Sequence, residues 1–558
     1  MSFSNPLSKK IWQQKYCCHE EVICDQNIEE SWHRIAKAIS QPEKDSTFWE
    51  KQFYSILEDF KFLPGGRIQA GAGLKKHITL MNCFVMNRIE DSIEGIFQGL
   101  KEGAHTMQYG GGIGYDFSTL RPQGSVAEMA GTFASGPVSF MKIWDKMCEV
   151  MLSTSYRRGA MMANLRCDHP DVVKFIEAKH KSGELTNFNL SVLVTDKFLQ
   201  AVKNNQTWQL VFDNKVFDEL RARELWQKII TSSYEFSEPG VLFIDKINDD
   251  NNLNYCEKIY ATNPCGEVPL PPFGACNLGS INLTQFIEAP FSDQPKFNFE
   301  KCFETLKVAQ RFLDNVLDVT DFPLEQQKIS ALNSRRIGLG VTGLASSFAM
   351  LNIKYGTEES FRFVDQLMSN YCQVAYEASI EVGREKGVFP LFSKQYGQKG
   401  FASHLPEALL DKIKKYGLRN SHLLSIAPTG TISVLANNVS SGIEPIFKYE
   451  YLRKVIFNDG QKEDYKVKDF AVNKFEMLKP GSVLSEHFVE SSDLTADQHL
   501  QMVAHFQKYV DQSISKTINL NENSQLEDVL QVYEKAYDLG LKGCTTYRPS
   551  LARGAVLS

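Results

Sequence analysis

A short polar motif, Asn263-Pro264-Cys265-Gly266-Glu267, restricts the folds open to this chain more than any other stretch. In an extended backbone alternate side chains point the same way, so the amide, the thiol and the carboxylate are predicted to face one pocket. The proline stiffens the approach to the cysteine, and the glycine leaves room beside the thiol. The motif therefore suits a loop inserted into a confined space. The alternative interpretation is an ordinary surface turn.

The size and composition of the chain favour a large globular fold. Its 558 residues exceed the size at which one simple core usually stops growing, so either several domains or one large α/β barrel is expected. A hydrophobic content of 43% with 23% charged residues is typical of soluble globular proteins. The net charge of −6 provides no general attraction for nucleic acid, so no nucleic-acid partner is predicted.

The sequence also indicates the cellular compartment. No apolar run reaches the ~20 residues that span a bilayer, and the first residues lack a signal-peptide pattern, so we expect a cytoplasmic protein with no membrane partner. The 12 cysteines should then be mostly reduced, and because none forms a CxxC pair no metal site is predicted. One cluster of possible ligands has a spacing that matches no common metal site: Cys17, Cys18, His19 and Cys24.

Local patterns predict several elements. Residues 1–60 are interpreted as a mostly helical N-terminal segment, in which apolar residues recur at helical spacing: Trp32, Ile35, Ala36 and Ile39. Residues 338–343 fit the dinucleotide pattern GxGxxG, but no apolar strand precedes them, so we interpret these glycines as permitting tight helix packing. Residues 425–434 run from an apolar strand into a hydroxyl-rich turn that either holds phosphate or simply caps a helix.

Five motifs together resemble the catalytic chain of ribonucleotide reductases. In order they are Asn82-Cys83 and residues 263–267, 275–280, 335–340 and 428–433. The resemblance covers about residues 60 to 549. It implies a ten-stranded α/β barrel over residues 61–558 with residues 263–267 on a central finger loop. Three spaced cysteines suit such an enzyme, because a thiyl radical can activate ribose and a pair of thiols can supply two electrons by closing to a disulfide.

The resemblance also implies roles for individual residues. Cys265 becomes the thiyl radical that takes the 3′-hydrogen, and Cys83 and Cys276 become the reducing pair, which must approach to the ~6 Å Cα separation of a disulfide. Glu267 would act as general base on the 3′-hydroxyl, and Asn263 would hold the sugar by hydrogen bonding. Contacts with the sugar and phosphates of the ribonucleotide substrate are implied for a further set: Asn82, Gly112, Thr429, Gly430, Thr431, Ile432 and Ser433.

A second nucleotide site is implied by the same resemblance. Positions that bind a specificity effector, a deoxynucleoside triphosphate or ATP, at a dimer interface are matched by Asp91, Ser92, Ile93 and Arg121. Arg157 matches the loop residue that communicates with the substrate. We therefore expect a homodimer in which the effector biases which base fits the active site.

Residues 541–548 indicate the radical source. Class I enzymes have two adjacent tyrosines here, whereas this chain has Thr545 and Thr546. The run instead resembles class II enzymes, which implies adenosylcobalamin as cofactor, although no DxHxxG motif is present. The resemblance to the larger dimeric class II enzymes favours diphosphate substrates. Two alternatives remain: a class I catalytic subunit with a separate metal-containing radical subunit, and a non-catalytic nucleotide-binding regulator.

The two ends of the chain add further expectations. The start lies too close to the catalytic core for an ATP-cone regulatory domain. Family members commonly end in a flexible cysteine pair that reduces the active-site disulfide again, yet Cys544 has no cysteine near it in the sequence. Thioredoxin or a similar reductant is therefore expected to act directly, or through a tail that was removed or lies on another polypeptide.

Overall fold

Helices form the N-terminal part of the chain, as the periodicity predicts. The computed structural model describes residues 3–20, 23–75, 78–127, 132–152, 160–456 and 462–549. The first elements are α1 (Pro6–Ile11), a π-helix (Trp12–Tyr16), α2 (Ile28–Ser40) and α3 (Ser46–Leu57). In α2 the predicted apolar stripe is buried: Trp32, Ile35, Ala36 and Ile39. Asn27 caps α2 by accepting a hydrogen bond from the N–H of Glu30 at 2.9 Å.

Ten strands form the central sheet. They are β1 (Phe62–Pro64), β2 (Cys83–Val85), β3 (Gly112–Asp116), β4 (Met161–Arg166), β5 (Phe188–Val194), β6 (Gly240–Phe243), β7 (Ala275–Asn282), β8 (Ile337–Thr342), β9 (Thr517–Asn519) and β10 (Gly543–Tyr547). The spatial order is β8-β7-β2-β3-β4-β5-β6-β10-β9, and β1 pairs with β7. Strands β2 to β6 run parallel, whereas β7 is antiparallel to β2 and β10 is antiparallel to β6. The sheet therefore has two halves that meet at two antiparallel seams.

An extended segment at residues 422–426, the closing segment, joins the two ends of this sheet. Leu339 in β8 pairs parallel with Leu424, and Ile426 pairs parallel with Ile514 just ahead of β9. Within the described residues this closure leaves the sheet no long open edge, which is how a barrel satisfies its backbone groups. The predicted ten-stranded α/β barrel is confirmed.

Helices surround the barrel and connect its strands. In chain order the remaining α-helices are α4 (Gly66–Gly71), α5 (Ile93–Gln108), α6 (Pro137–Leu152), α7 (Val172–Ile176), α8 (Asp196–Lys203), α9 (Ala222–Phe236), α10 (Ile244–Asp249), α11 (Phe299–Val319), α12 (Glu325–Ser334), α13 (Leu344–Met350), α14 (Glu358–Lys386), α15 (Glu407–Tyr416), α16 (Gly430–Leu435), α17 (Phe470–Leu478), α18 (Ala496–Gln507) and α19 (Leu526–Asp538). None of the helices in the described part of the chain combines the length and the apolar character needed to span a bilayer.

Helix α11 links the N-terminal helices to the barrel. The ring of Phe312 on this helix contacts Phe53 of α3 and Phe62 of β1 edge to face, with ring centroids 5.2 Å and 5.4 Å away, respectively. Arg311 on the same helix pairs with the buried carboxylate of Glu43 at 2.6 Å. Apolar packing and a buried ion pair therefore fix the N-terminal helices against the sheet.

The glycines of the GxGxxG pattern lie in strand β8, so the prediction that they permit helix packing is wrong. A Cβ atom at Gly340 would lie 2.3 Å from the carbonyl oxygen of Ser425. Glycine is needed there because the closing segment approaches β8 more closely than any side chain allows.

Candidate active site

Residues 261–270 form a finger loop inside the barrel. Ala261–Thr262 pairs antiparallel with Pro269–Leu270, and residues 263–268 form the tip. The tip is a turn, because the N–H of Gly266 donates to the carbonyl oxygen of Asn263 at 3.1 Å and Gly266 has a φ of 82°. The extended backbone predicted for this motif is therefore wrong, since the glycine takes the left-handed conformation. Asn263, Cys265 and Glu267 nevertheless line one cavity, as predicted.

The barrel wall holds the finger on both flanks. Asn189 of β5 donates from Nδ2 to the carbonyl oxygen of Pro264 at 2.8 Å. On the other flank, Ser425 of the closing segment donates from Oγ to the carbonyl oxygen of Glu267 at 2.9 Å. A Cβ atom at Gly114 of β3 would lie 1.8 Å from the finger backbone, so only glycine lets the loop pass. Cys265 is thus fixed between two anchored carbonyl groups.

Cys83 and Cys276 lie directly opposite each other at the seam between β2 and β7. Residues paired in this way have Cα atoms about 4.5–5.5 Å apart, within the range of a disulfide. The Sγ of Cys83 lies 3.1 Å from Nδ2 of Asn263 and 3.9 Å from Oε1 of Glu267. Cys276 is fully buried behind it, and burial raises the pKa of the Cys276 thiol, which therefore stays protonated.

Two cavities meet at the tip of the finger. The smaller, of about 220 Å³, is lined by Cys83, Asn263 and Glu267, and the larger, of about 930 Å³, lies beside strands β5, β6 and β10. Cys265 lines both cavities and is exposed, whereas Asn263 and Glu267 are buried. The thiol therefore has access to a reactant on either side.

Most of the predicted substrate contacts line the smaller cavity. They are Asn82, Gly112, Thr429, Gly430, Thr431 and Ile432. The buried Oδ1 of Asn82 has no hydrogen-bond partner within the described residues, which suits an acceptor for a ligand hydroxyl. Thr429 is the N-cap residue immediately before α16, and its Oγ1 accepts a hydrogen bond from the N–H of Gly442 at 2.7 Å. Ser433 does not line this cavity, because its hydroxyl contacts Ser441 at 2.9 Å.

Comparison with known proteins identifies the family. A family model described as "Ribonucleotide reductase, barrel domain" matches residues 81–547. The chain belongs to the ribonucleotide reductase family. A second family model, "Ribonucleotide reductase, all-alpha domain", matches residues 2–77. The resemblance inferred from five motifs is confirmed.

Individual reductases show which kinds of relative the chain matches. Vitamin B12-dependent ribonucleoside-diphosphate reductases from Thermoplasma acidophilum and Mycobacterium tuberculosis (strain CDC 1551 / Oshkosh) are each 35% identical to it. Each alignment covers 98% of this chain, and 70% and 80% of the respective relatives. A ribonucleoside-diphosphate reductase subunit alpha from Chlamydia pneumoniae is 25% identical over 92% of this chain and 56% of its own length.

The residues predicted to form the effector site of this reductase cluster at the start of α5. The carboxylate of Asp91 pairs with the guanidinium of Arg121 at 2.8 Å, and Ser92 caps the helix by accepting from the N–H of Gly95 at 2.9 Å. Ile93 follows on the surface and is 58% exposed. Four of the five predicted effector residues are thus neighbours, and Arg157 lies outside the described residues.

Sequence reasoning missed several residues that line the smaller cavity, among them Lys15, Tyr16 and Arg67. The sequence could have pointed to Arg67, since it follows the glycine pair of Pro64-Gly65-Gly66. It could not have pointed to Lys15 or Tyr16, because nothing in the local pattern of the N-terminal segment relates that segment to the barrel.

The possible ligand cluster near the N-terminus is only partly described. Cys17 contacts the carbonyl oxygen of Asp25 at 3.1 Å, and Cys18 is buried. The side chains of His19 and Cys24 lie outside the described residues. Within the described part of the chain, no three ligand side chains are grouped so as to hold a metal ion.

Proposed function

We propose that this chain reduces ribonucleoside diphosphates to 2′-deoxyribonucleoside diphosphates with adenosylcobalamin as cofactor. One observation carries the proposal: Cys265 stands on an anchored loop between two cavities, beside two thiols paired across a seam. The names of the relatives, which are vitamin B12-dependent ribonucleoside-diphosphate reductases, support the cofactor and the diphosphate substrate.

The first chemical step is hydrogen transfer to Cys265. Its thiyl radical takes the hydrogen atom from C3′ of a ribose in the smaller cavity and becomes a thiol. Glu267, at the tip of the finger, accepts the proton of the 3′-hydroxyl, which makes departure of the 2′-hydroxyl as water feasible. Asn263 holds the sugar, since its amide has two N–H donors and only one is needed for the contact with Cys83.

The second step supplies two electrons. Cys83 faces the substrate cavity and gives a proton to the leaving hydroxyl, and its sulfur then bonds to that of Cys276 as the two thiols are oxidised to a disulfide. The substrate gains both electrons, and the proton of the second thiol is added at C2′. Glu267 returns its proton to the 3′-oxygen, and Cys265 returns a hydrogen atom to C3′. The sum is one ribonucleotide and two thiols giving one deoxyribonucleotide, water and a disulfide.

The residues of the larger cavity fit adenosylcobalamin. The cavity reaches Cys265, its walls carry apolar side chains such as Val241 and Leu541, and it also has the amides of Asn519 and Asn521. The apolar side chains would hold the apolar face of the cofactor, and the asparagine amides would hold its amide groups. When bound, the cofactor supplies a hydrogen-atom acceptor by homolysis of its cobalt–carbon bond. Thr545 lines the same cavity, so the adjacent-tyrosine relay of class I enzymes has no counterpart in this wall.

Regulation and reduction complete the proposal. Asp91, Ser92, Ile93 and Arg121 would bind a deoxynucleoside triphosphate or ATP at the interface of a homodimer, and Arg157 would relay its identity to the substrate. Thioredoxin or a similar dithiol would reduce the disulfide, with the reductase in the cytoplasm. Clustering of the first four residues around the ion pair at 2.8 Å supports this arrangement.

The decisive experiment is anaerobic incubation with CDP, adenosylcobalamin, dithiothreitol and a deoxynucleotide effector, followed by assay for dCDP. Cys265→Ser should abolish product. Cys256→Ser is the matched control, because Cys256 is an exposed cysteine that lines neither cavity. Absence of dCDP from the unmodified protein with every effector would contradict the proposal, and turnover that requires a metal-containing partner instead of the cofactor would favour the class I alternative.

A further inference from the structure

Part of the wall of the smaller cavity comes from the N-terminal helices. Lys15 and Tyr16 end the π-helix Trp12–Tyr16, and Arg67 lies in the first turn of α4. Among the described residues that line this cavity, Lys15 and Arg67 are the cations and Glu267 is the anion. The cations of this cavity therefore come from elements other than the barrel strands that carry Cys83 and Cys276.

Both cations lie beside the elements predicted to receive the phosphates. A Cβ atom at Gly110 would lie 2.7 Å from Cζ of Arg67, so the guanidinium packs on the glycine loop that leads into β3. On the other side, α1 packs on α16, where Ser8 donates from Oγ to the carbonyl oxygen of Val434 at 2.6 Å. The π-helix with Lys15 follows α1 directly, next to residues 429–432.

The π-helix that carries Lys15 has an unusual backbone, and a nearly buried arginine ties it to α4. The N–H of Cys17 donates to the carbonyl oxygen of Trp12 at 2.7 Å, the five-residue spacing of a π-helix. Such turns are rare and occur frequently at functional sites. One nearly buried guanidinium, that of Arg34, donates to the carbonyl oxygens of Tyr16 at 3.2 Å and Ala72 at 2.5 Å, and pairs with Asp25 at 2.8 Å. It ties the element that carries Lys15 to the end of α4, which carries Arg67.

We infer that Lys15 and Arg67 bind the terminal phosphate of the ribonucleoside diphosphate, its β-phosphate. This makes the N-terminal segment part of the substrate site. The inference rests on the proposed function. Residues 429–432 offer hydroxyls and amides but no cation, whereas a terminal phosphate carries about −1.5 to −2 charges near pH 7. Arginine can contact two phosphate oxygens at once, and lysine adds a compact charge. The pair would therefore distinguish a diphosphate from a monophosphate.

Binding of nucleotides tests this inference without turnover. We would titrate the full chain, saturated with a deoxynucleoside triphosphate, with CDP and with CMP in a calorimeter. Lys15→Gln and Arg67→Gln should each raise the Kd for CDP about tenfold or more, because each removes a charged contact. Their effect on CMP should be smaller, so the preference for CDP over CMP falls. Lys15→Arg and Arg67→Lys should recover part of the affinity.

Lys9→Gln is the matched control, since Lys9 is an exposed lysine of the same segment that does not line the cavity. It should leave both Kd values unchanged. If a glutamine variant does not fold, Lys15→Met and Arg67→Leu replace it, since they keep more of the apolar packing. Unchanged CDP affinity in folded charge-removed variants would overturn the inference. Failure of the proposed function gives a different result, namely CDP binding that depends on Lys15 and Arg67 without formation of dCDP.

Discussion

At the scale of single residues, the three thiols differ in what they can reach. Cys265 lines both cavities, Cys83 lines only the smaller one, and Cys276 lines neither. Only Cys265 can therefore exchange a hydrogen atom with groups on either side. Cys276 can act only through Cys83, which separates initiation of the reaction from its completion.

This separation predicts the behaviour of Cys276→Ser. Formation of dCDP should fall at least ~100-fold, because no disulfide can close. Release of tritium from CDP labelled at C3′ should persist, because Cys265 still takes that atom and exchanges it with solvent. Cys256→Ser should affect neither measurement. Loss of tritium release in Cys276→Ser would show that the fully buried thiol is needed for initiation as well.

A buried histidine near the larger cavity predicts a pH effect on stability. Burial, together with the charge of Lys516, lowers the pKa of His499 to about 2, and Lys516 pairs with Glu444 at 2.6 Å. The unfolded chain binds a proton at this histidine below about pH 6.5 and the folded chain does not, so stability falls as the pH falls. Between pH 6.5 and 5 the loss at this one site is about 2 kcal/mol.

Replacing the histidine tests the sign of this effect. His499→Asn should lose less unfolding free energy than the unmodified protein between pH 6.5 and 5, as measured by urea denaturation at both pH values. The comparison uses the pH slope, so a uniform loss of stability in the variant does not affect it. Equal slopes would mean that His499 titrates in the folded protein.

At the scale of elements, the finger depends on the strands that hold it. Ser425→Ala removes the hydrogen bond to Glu267, and Asn189→Ala removes the one to Pro264. Each lost hydrogen bond should reduce the free energy of unfolding by about 1 kcal/mol. Displacement of the Cys265 thiol has a larger effect on the rate, so kcat should fall roughly tenfold to a hundredfold with little change in KM.

The controls for the finger separate positioning from general damage. Ser425→Thr keeps the hydroxyl and should restore most of kcat. Ser369→Ala removes an exposed serine hydroxyl on α14 and should leave kcat unchanged. A rise in KM with unchanged kcat in Ser425→Ala would place the serine in substrate binding rather than in positioning the thiol.

The sequence predicted an element where its conformation follows from neighbouring residues, and failed where the conformation depends on residues far away in the chain. Helix α2 was predictable because its apolar spacing is local, and the cysteines stood out because their chemistry is specific. The strand through Gly338 and Gly340 was not, since at Gly340 it depends on the close approach of the distant backbone of Ser425. The turn at Gly266 was not either, since alternation of side chains does not reveal the left-handed φ of 82° that this glycine adopts. Lys15 joins the cavity through packing of α1 on α16, which no local pattern encodes.

At the scale of the whole molecule, the proposed homodimer has a candidate surface. Ile93 and Phe97 on α5 are 58% and 50% exposed, next to the Asp91–Arg121 pair. Exposed apolar groups at a proposed effector site suit an interface that the effector joins. We therefore expect α5 to contribute to association.

Phe97→Glu should convert the proposed dimer to a monomer in light scattering coupled to size-exclusion chromatography, because it places a charge in an apolar contact. The response of substrate choice to effector should be lost with it. Phe48→Glu is the matched control, since Phe48 is 49% exposed on α3. A dimeric Phe97→Glu variant would exclude this face.

The oxidation state should also change global stability. A disulfide between Cys83 and Cys276 closes a loop of about 190 residues, which by the loop-entropy relation stabilises the fold by up to about 5 kcal/mol. The oxidised protein should therefore melt at a higher temperature than the protein in dithiothreitol, as calorimetry can measure. In Cys83→Ser the two conditions should give the same melting temperature.

The proposed reducing pair, Cys83 and Cys276, lies where the two halves of the barrel run in opposite directions. In the proposed reaction, each product molecule would leave a disulfide that links β2 to β7, and each encounter with a reductant would open it. The barrel would alternate between a more rigid disulfide form and a less rigid dithiol form. The supply of reductant would then also determine how freely the cavity walls can move when the next substrate binds.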